Sequence, residues 1–260
     1  MTADPAEWPL RLFRKSVLKQ AKLRELTRHL GPTEGKSCLD LGSDNGVISL
    51  LLRRRGGRWR SADLAPEAVE SIRALVHDDV HLLRDGRLPF PGAEFDAVAV
   101  VDMLEHLPDD RAFCGELARV CRPGGILVTN VPHARRRSPL RWFRHRLGQT
   151  EEKHGHVRPG YTLRGLSALL GDRFDLESSR TYSGFFSEAI DTLIAFAYGK
   201  IAKPGGSKGV LVTGDDLRSH RKAFRAYAAV YPVLKAFSWL DRLFFFVPGF
   251  MLIARWRRRA

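Results

Sequence analysis

Three aspartates stand at the ends of three successive strand-like segments: Asp40 in "SCLDLG", Asp63 in "RWRSADL" and Asp85 in "VHLLRD". An ionised carboxylate only accepts hydrogen bonds. At the end of a second strand, Asp63 suits both hydroxyls of a ribose. Asp85, with Gly86 beside it, suits an adenine amino group, while Leu64 and Leu88 could close on the ring. Gly42 permits a tight turn after Asp40, and Gly46 lets the next helix pack close. A pyrophosphate on that helix N-terminus would face both Asp40 and Asp44, which is unfavourable. The corner instead suits a cationic or zwitterionic end. Together the positions describe a nucleoside carrying an amino-acid tail. Each acid taken alone could equally be a helix cap or a turn residue.

A second group of residues could move protons. "DMLEH" holds Asp102, Glu105 and His106, and His133 closes "NVPH". His154 and His156 follow in a long polar loop. His133 and His106 are the candidate bases, needed only where an acceptor carries a proton. Asp102, Glu105 and His106 could also hold Mg²⁺, but the same run serves as a plain helix opening, and no metal is expected.

Elements that could position these groups alternate along the chain. Strands are expected at 37–42, 58–64, 80–85, 95–104 and 126–132. Helices are expected at 47–54, 66–76 and 109–125, the last closed by Pro-Gly-Gly. That alternation predicts a doubly wound α/β fold with a mostly parallel sheet. A helix at 162–171, a strand at 174–183 and a last strand at 250–258 follow. Residues 9–30 read as one basic amphipathic helix.

The chain has 260 residues with a net charge of +14, which calls for an anionic partner or a solvated arginine-rich surface. Cations cluster with Trp142 and Phe143 at Arg135, Arg136, Arg137, Arg141, Arg144 and Arg146, and again at Arg255 and 257–259. Cys38, Cys114 and Cys121 lack metal-ligand spacing and read as reduced thiols. The N-terminus lacks the pattern of a signal peptide. The run 243–254 is shorter than the ~20 residues a span requires.

"LDLGSDNG" (39–46), "SADLAPEAVE" (61–70), "RDGRLPFPGAEFDAVAVVDMLEHLPD" (84–109) and "LARVCRPGGILVTNVPH" (117–133) resemble the class I S-adenosylmethionine-dependent methyltransferases. "HGHVRPGYTLRGLSALL" (154–170) extends the likeness. More narrowly, the chain resembles small-molecule and quinone-pathway methyltransferases. The resemblance implies a seven-stranded Rossmann-like sheet and S-adenosyl-L-methionine as cofactor. It implies that Asp40, Gly42 and Gly46 line the methionine part, Asp63 the ribose, and Asp85 with Gly86 the adenine. Val101 and Asp102 would lie beside the cofactor. Asp44 stands where the family usually has glycine, and calls for room and a positive φ, which Asp tolerates.

The expected organisation is an N-terminal helix (1–31), a cofactor-binding core (32–183), an aromatic helical insertion (184–247) and a last strand with a basic tail (248–260). The expected acceptor is a small, lipid-like or lipid-linked molecule, methylated by in-line displacement. RNA methylation and non-catalytic binding are the alternatives; nucleic acid is the less favoured partner because no RNA-binding module is visible. A cytoplasmic protein, peripheral on an anionic inner membrane face, follows from the basic and aromatic segments.

Overall fold

A computed structural model describes residues 7–135, 140, 146, 155–199 and 221–260. Seven strands form one sheet: β1 (Ser37–Leu41), β2 (Arg58–Asp63), β3 (Val80–Leu82), β4 (Phe95–Val101), β5 (Cys121–Pro132), β6 (Phe174–Tyr182) and β7 (Met251–Arg258). Their order is β3-β2-β1-β4-β5-β7-β6. The first five strands are parallel, and β7 runs antiparallel between β5 and β6.

Helices α1 (Glu7–Arg14), α2 (Val17–Leu30), α3 (Val47–Arg53), α4 (Pro66–Val76), α5 (Asp110–Val120) and α6 (Leu163–Leu170) surround this sheet. Side chains alternate along β4, as the period of a strand requires. Val98 and Val100 join a core with Phe113 and Leu117 of α5 and Leu166 of α6. Ala97, Ala99 and Val101 join the opposite core, with Leu26 of α2 and Ile48 of α3. Both faces are therefore covered, which explains the near-continuous apolar run "AVAVV".

The expected seven-stranded, mostly parallel fold is present. Several boundaries differ. Residues 9–30 make two helices, because the Ser16 hydroxyl accepts from the Lys19 N–H and starts α2 afresh. The helix expected at 109–125 stops at Val120, and β5 begins at Cys121 with a register shift opposite Phe95 and Ala97. The third strand ends at Leu82, short of Asp85.

Between β6 and β7 lie α7 (Phe185–Gly199), α8 (Arg221–Ser238) and a 3₁₀ turn at Trp239–Arg242. Asp241 of that turn fastens it to the start of α7, accepting from the Phe186 N–H at 2.8 Å and the Ser187 hydroxyl at 2.6 Å. The cysteines are buried and unpaired, and burial pushes each thiol up to about 12.

Candidate active site

The sheet order reverses between β1 and β4, so their carboxyl ends diverge and leave a crevice. A cleft of about 280 Å³ opens there. Gly42, Ser43, Asp44 and Asn45 form one wall, and Val101, Asp102, Glu105 and His106 another. Gly42 must be glycine: a Cβ would stand 2.2 Å from the Val101 carbonyl oxygen. At Gly46 a Cβ would meet the Ile72 Cα of α4 at 2.8 Å. Asp44 has φ 55°, the left-handed conformation its place in the turn demands.

Asp40 does not line the cleft. It is fully buried and faces inward. The strand register sets Asp40 opposite Ser61, whose hydroxyl donates to it at 2.6 Å. Ser43 and Ser49 donate at 2.7 and 2.5 Å, and the Arg53 guanidinium reaches it at 3.3 Å. Asp40 thus ties β1, β2, the glycine turn and α3 together.

Asp63 is also buried, and accepts from the backbone N–H groups of Leu64 (2.7 Å), Asp44 (3.3 Å) and Ala65 (3.3 Å). It pins the glycine turn to β2. Leu64 is partly buried and packs on the same core as Leu88. Asp85 is exposed, and with Gly86 occupies a tight reversal, at φ 52° and 67°, closed by the Arg87 N–H on the Arg84 carbonyl. Asp-Gly is a sequence signature of such turns. Asp85 therefore belongs to a turn beyond β3 and does not close the strand.

Asp102 differs from all three. Its φ is 45°, and its side chain is 32 % exposed toward the cleft. Asn130, beside Val101 in the β4–β5 register, donates to it at 2.8 Å. Buried Tyr182 in turn donates to the Asn130 carbonyl oxygen at 2.5 Å. Lys22 of α2 contacts the other oxygen of Asp102 directly. Burial alone would lower the Lys22 ammonium, but Asp102 outweighs it and holds the group above its ordinary 10.5. Lys19, one turn earlier, shifts the other way, because burial prevails over the pull of Asp44. Both lysines line the cleft.

Of the histidines, His106 lines the cleft together with His156. Their rings meet edge to face with centroids 4.8 Å apart. The Gly155 carbonyl, 3.0 Å from His106 Nδ1, can only accept, so Nδ1 is the donor in this contact. His133 stands behind the cleft wall, with Nδ1 on the Gly249 carbonyl at 3.0 Å and its backbone N–H on Phe250. Burial lowers the His133 imidazole below its ordinary 6.5. The possible Mg²⁺ set also regroups. Glu105, His106 and His156 bring one ligand atom each within 4.8 Å of one another, while Asp102 is held by Lys22 and Asn130. His154, Arg136, Arg137, Arg141, Trp142, Phe143 and Arg144 lie outside the described residues.

Lys19, Lys22, Asn130 and Tyr182 carry no mark in the sequence. The lysines sit in a basic helix that reads as surface, and Asn130 and Tyr182 sit inside strands.

The donor set fits S-adenosylmethionine. Two ammonium groups, Lys19 and Lys22, can meet a carboxylate, and two carboxylates, Asp44 and Asp102, can meet an ammonium and a sulfonium. Residues 39–129 match the model of the methyltransferase domain family Methyltransf_11. A demethylmenaquinone methyltransferase of Tropheryma whipplei is 31 % identical over 126 residues, covering 46 % of this chain and 53 % of that protein. A ubiquinone biosynthesis O-methyltransferase of Xylella fastidiosa is 35 % identical over 107 residues, covering 38 % and 43 %. The chain thus spans about half the length of the curated relatives it matches. In fold it is similar to the N-methyltransferase NodS of Bradyrhizobium japonicum, solved with S-adenosyl-L-homocysteine, at a TM-score of 0.55 and 15 % identity, covering 95 % of this chain and 91 % of that one. Residues 39–129 thus match a methyltransferase domain, and the strand order and the charged corner at its switch point are similar to those of the class I S-adenosylmethionine-dependent methyltransferases.

Proposed function

We propose that the protein transfers a methyl group from S-adenosylmethionine to a small, apolar, lipid-like or lipid-linked acceptor. The observation that carries this reading is the wall facing the charged corner. Leu18, Ile48, Pro132, Phe250 and Met251 make it apolar. A water-soluble acceptor would leave that surface unmatched, whereas an apolar one covers it. The named activities of the quinone-pathway relatives agree in substrate class.

When bound, the cofactor supplies an electrophilic methyl group on a sulfonium. The protein supplies position and exclusion of water. Asp44 and Asp102 face the cationic centres, and Lys19 and Lys22 face the carboxylate. Asp63 holds the glycine turn at the ribose side, with Asp85 and Gly86 beyond it. Asp40 and Arg53 keep that corner rigid. An acceptor hydroxyl would lose its proton to His106, which lines the cleft and is oriented by the contact of its Nδ1 with the Gly155 carbonyl. His133 stays neutral near pH 7 and shapes the wall through Gly249 and Phe250. In this reading residues 32–183 with 248–260 form the cofactor domain, and 184–247 form the acceptor side.

The test is incubation with radiolabelled S-adenosylmethionine and separate lipid, small-molecule and RNA fractions of a bacterial extract. Label in the lipid fraction, lost in His106→Ala if the acceptor is a hydroxyl, is the expected result. Label in RNA would replace the acceptor class. Cofactor binding with no label in any fraction would leave a binding module.

A further inference from the structure

The surface of the chain contains one region whose chemistry the methyl-transfer site does not use. Helix α8 is apolar on two sides. Its inner side is docked: Tyr231 takes a hydrogen bond from Gln20 at 2.7 Å, Tyr227 contacts the Lys15 carbonyl, and Arg11 stacks over Phe224. Its outer side carries Ala226, Val230, Val233 and Phe237 at helical spacing, and all are exposed. A surface helix normally turns polar residues outward; one that is apolar all round is normally covered. The stripe runs on into a tip, where Trp239 is 60 % exposed, Leu243 67 %, Phe245 85 % and Phe246 69 %.

The exposed charges on this face have one sign. Lys222 continues the stripe one turn earlier, Arg225 flanks it and Arg242 lies at the tip, and all three are exposed. The one acid between residues 221 and 247 is Asp241, and its carboxylate is turned inward onto Phe186 and Ser187. Among the described residues, several cations of the other basic segments are paired within the molecule. Arg255 and Arg257 pair with Glu177, Arg259 with Asp175, Arg135 with Glu188, and Lys22 with Asp102.

We propose that the outer face of α8 and the Trp239–Val247 tip dock onto an anionic lipid bilayer. The aromatic and aliphatic groups would enter the acyl boundary while the cations reach the headgroups. Three backbone donors at the tip are already satisfied within it, which lowers the cost of leaving water. The N–H groups of Leu243, Phe244 and Val247 donate to Leu240, Asp241 and Phe244. A second copy of this chain fits less well, because a two-fold contact would bring both sets of cations together with no acid on the face to offset them. Among the described residues no helix is long and apolar enough to cross a membrane, so the contact is peripheral. The tip also leads directly to the cleft, since Phe250 and Met251 line it.

Vesicle flotation tests this without any acceptor, so its failure is separate from failure of the acceptor reading. The protein should float with phosphatidylglycerol-containing vesicles, and less with pure phosphatidylcholine. Phe245→Ser with Phe246→Ser should cut partitioning on the order of tenfold or more, from the lost apolar burial. Lys222→Glu with Arg242→Glu should cut it on anionic vesicles alone. An unchanged thermal shift on adding S-adenosylmethionine confirms that each variant is folded. No flotation of the wild type, or equal flotation of the Phe245/Phe246 variant, overturns the proposal. So does self-association in place of flotation, abolished by the same pair. Equal flotation with both vesicle types overturns the anionic part.

Discussion

Asp40 and Asp102 lie at the carboxyl ends of neighbouring strands of one sheet, three register steps apart, yet their surroundings make them opposites. Asp40 is sealed and saturated by three serine hydroxyls and an arginine. Asp102 is in a left-handed backbone conformation, a third exposed, and held by a lysine and an amide at the edge of the cleft. Place at the carboxyl end of a strand therefore does not decide the role of an acid. The side chains brought against it do. A saturated carboxylate has no acceptor left for a ligand and acts through rigidity. One held by an exchangeable ammonium can trade partners.

The largest expected effect lies on the sealed side. Asp40→Ala removes the acceptor of three buried hydroxyls and leaves the mostly buried Arg53 with Asp78 as its remaining acid partner. Breaking such a cluster from one side costs about 3–5 kcal/mol. Chemical denaturation should show that loss, or no folded protein. Wild-type stability with weakened cofactor binding would mean that Asp40 contacts the ligand and would erase the contrast with Asp102.

Gly42 joins the two regions, because it follows β1 and abuts the end of β4. Gly42→Ala forces a Cβ toward the Val101 carbonyl at a φ of 83°. The backbone conformation alone costs about 1–3 kcal/mol, and the clash displaces Val101 and Asp102. A lower melting temperature should therefore accompany weaker cofactor binding by calorimetry. An intact affinity would show that the two walls move independently.

Asp102→Asn should cost less stability than Asp40→Ala and more cofactor affinity. The amide keeps the shape, so the loss near neutral pH is confined to the pairing of Lys22. Cofactor affinity should fall about tenfold, the equivalent of ~1.4 kcal/mol for one charge-assisted contact. The variant should also change the alkaline limb of stability. Asp102 raises Lys22 in the folded protein above its ordinary 10.5, so the pair stabilises the fold below that pH. That contribution is lost as pH rises through the elevated folded value. An alkaline limb identical in both proteins would mean that the pair contributes nothing to folding.

The same contrast explains what the sequence disclosed. Strand β4 is legible because a parallel strand buried on both faces needs a near-continuous apolar run. The turn at Gly42 was legible because a close backbone approach admits glycine alone. The left-handed backbone at Asp44 followed from a side chain standing in a glycine's place. The partners of Asp102 were not legible, because Lys22 lies 80 residues away in a helix that reads as solvated. Nor could periodicity tell the charged face of α2 from a cleft-lining one, since both carry lysine at the same spacing. Asp85 was misplaced because "VHLLRD" looks like a strand up to its acid, while the following glycine already marked a turn. Strand position alone does not separate His133 from His106, whereas the loop carrying Gly155 and His156 reaches over His106 alone.

The smallest expected effect concerns His133, which sits beside the cleft without lining it. Burial is the main cause of its lowered pKa, opposed by its bond to Gly249 and assisted by Arg135. The unfolded chain therefore binds a proton more readily near pH 6 than the folded protein does. The neutral ring stabilises the fold above its ordinary 6.5, and this contribution fades as pH falls through the lower folded value. His133→Gln keeps an N–H that can reach the Gly249 carbonyl and has no titrating group. Its stability should differ from wild type by less than about 1 kcal/mol at pH 8, in keeping with the net worth of a single hydrogen bond. The wild type should then lose stability relative to this variant on going from pH 7 to pH 5. Methyl transfer should persist in His133→Gln while His106→Ala removes it for a hydroxyl acceptor. Loss of activity in both, with parallel acid profiles, would move the base to His133 and require that the wall of Phe250 open during the reaction.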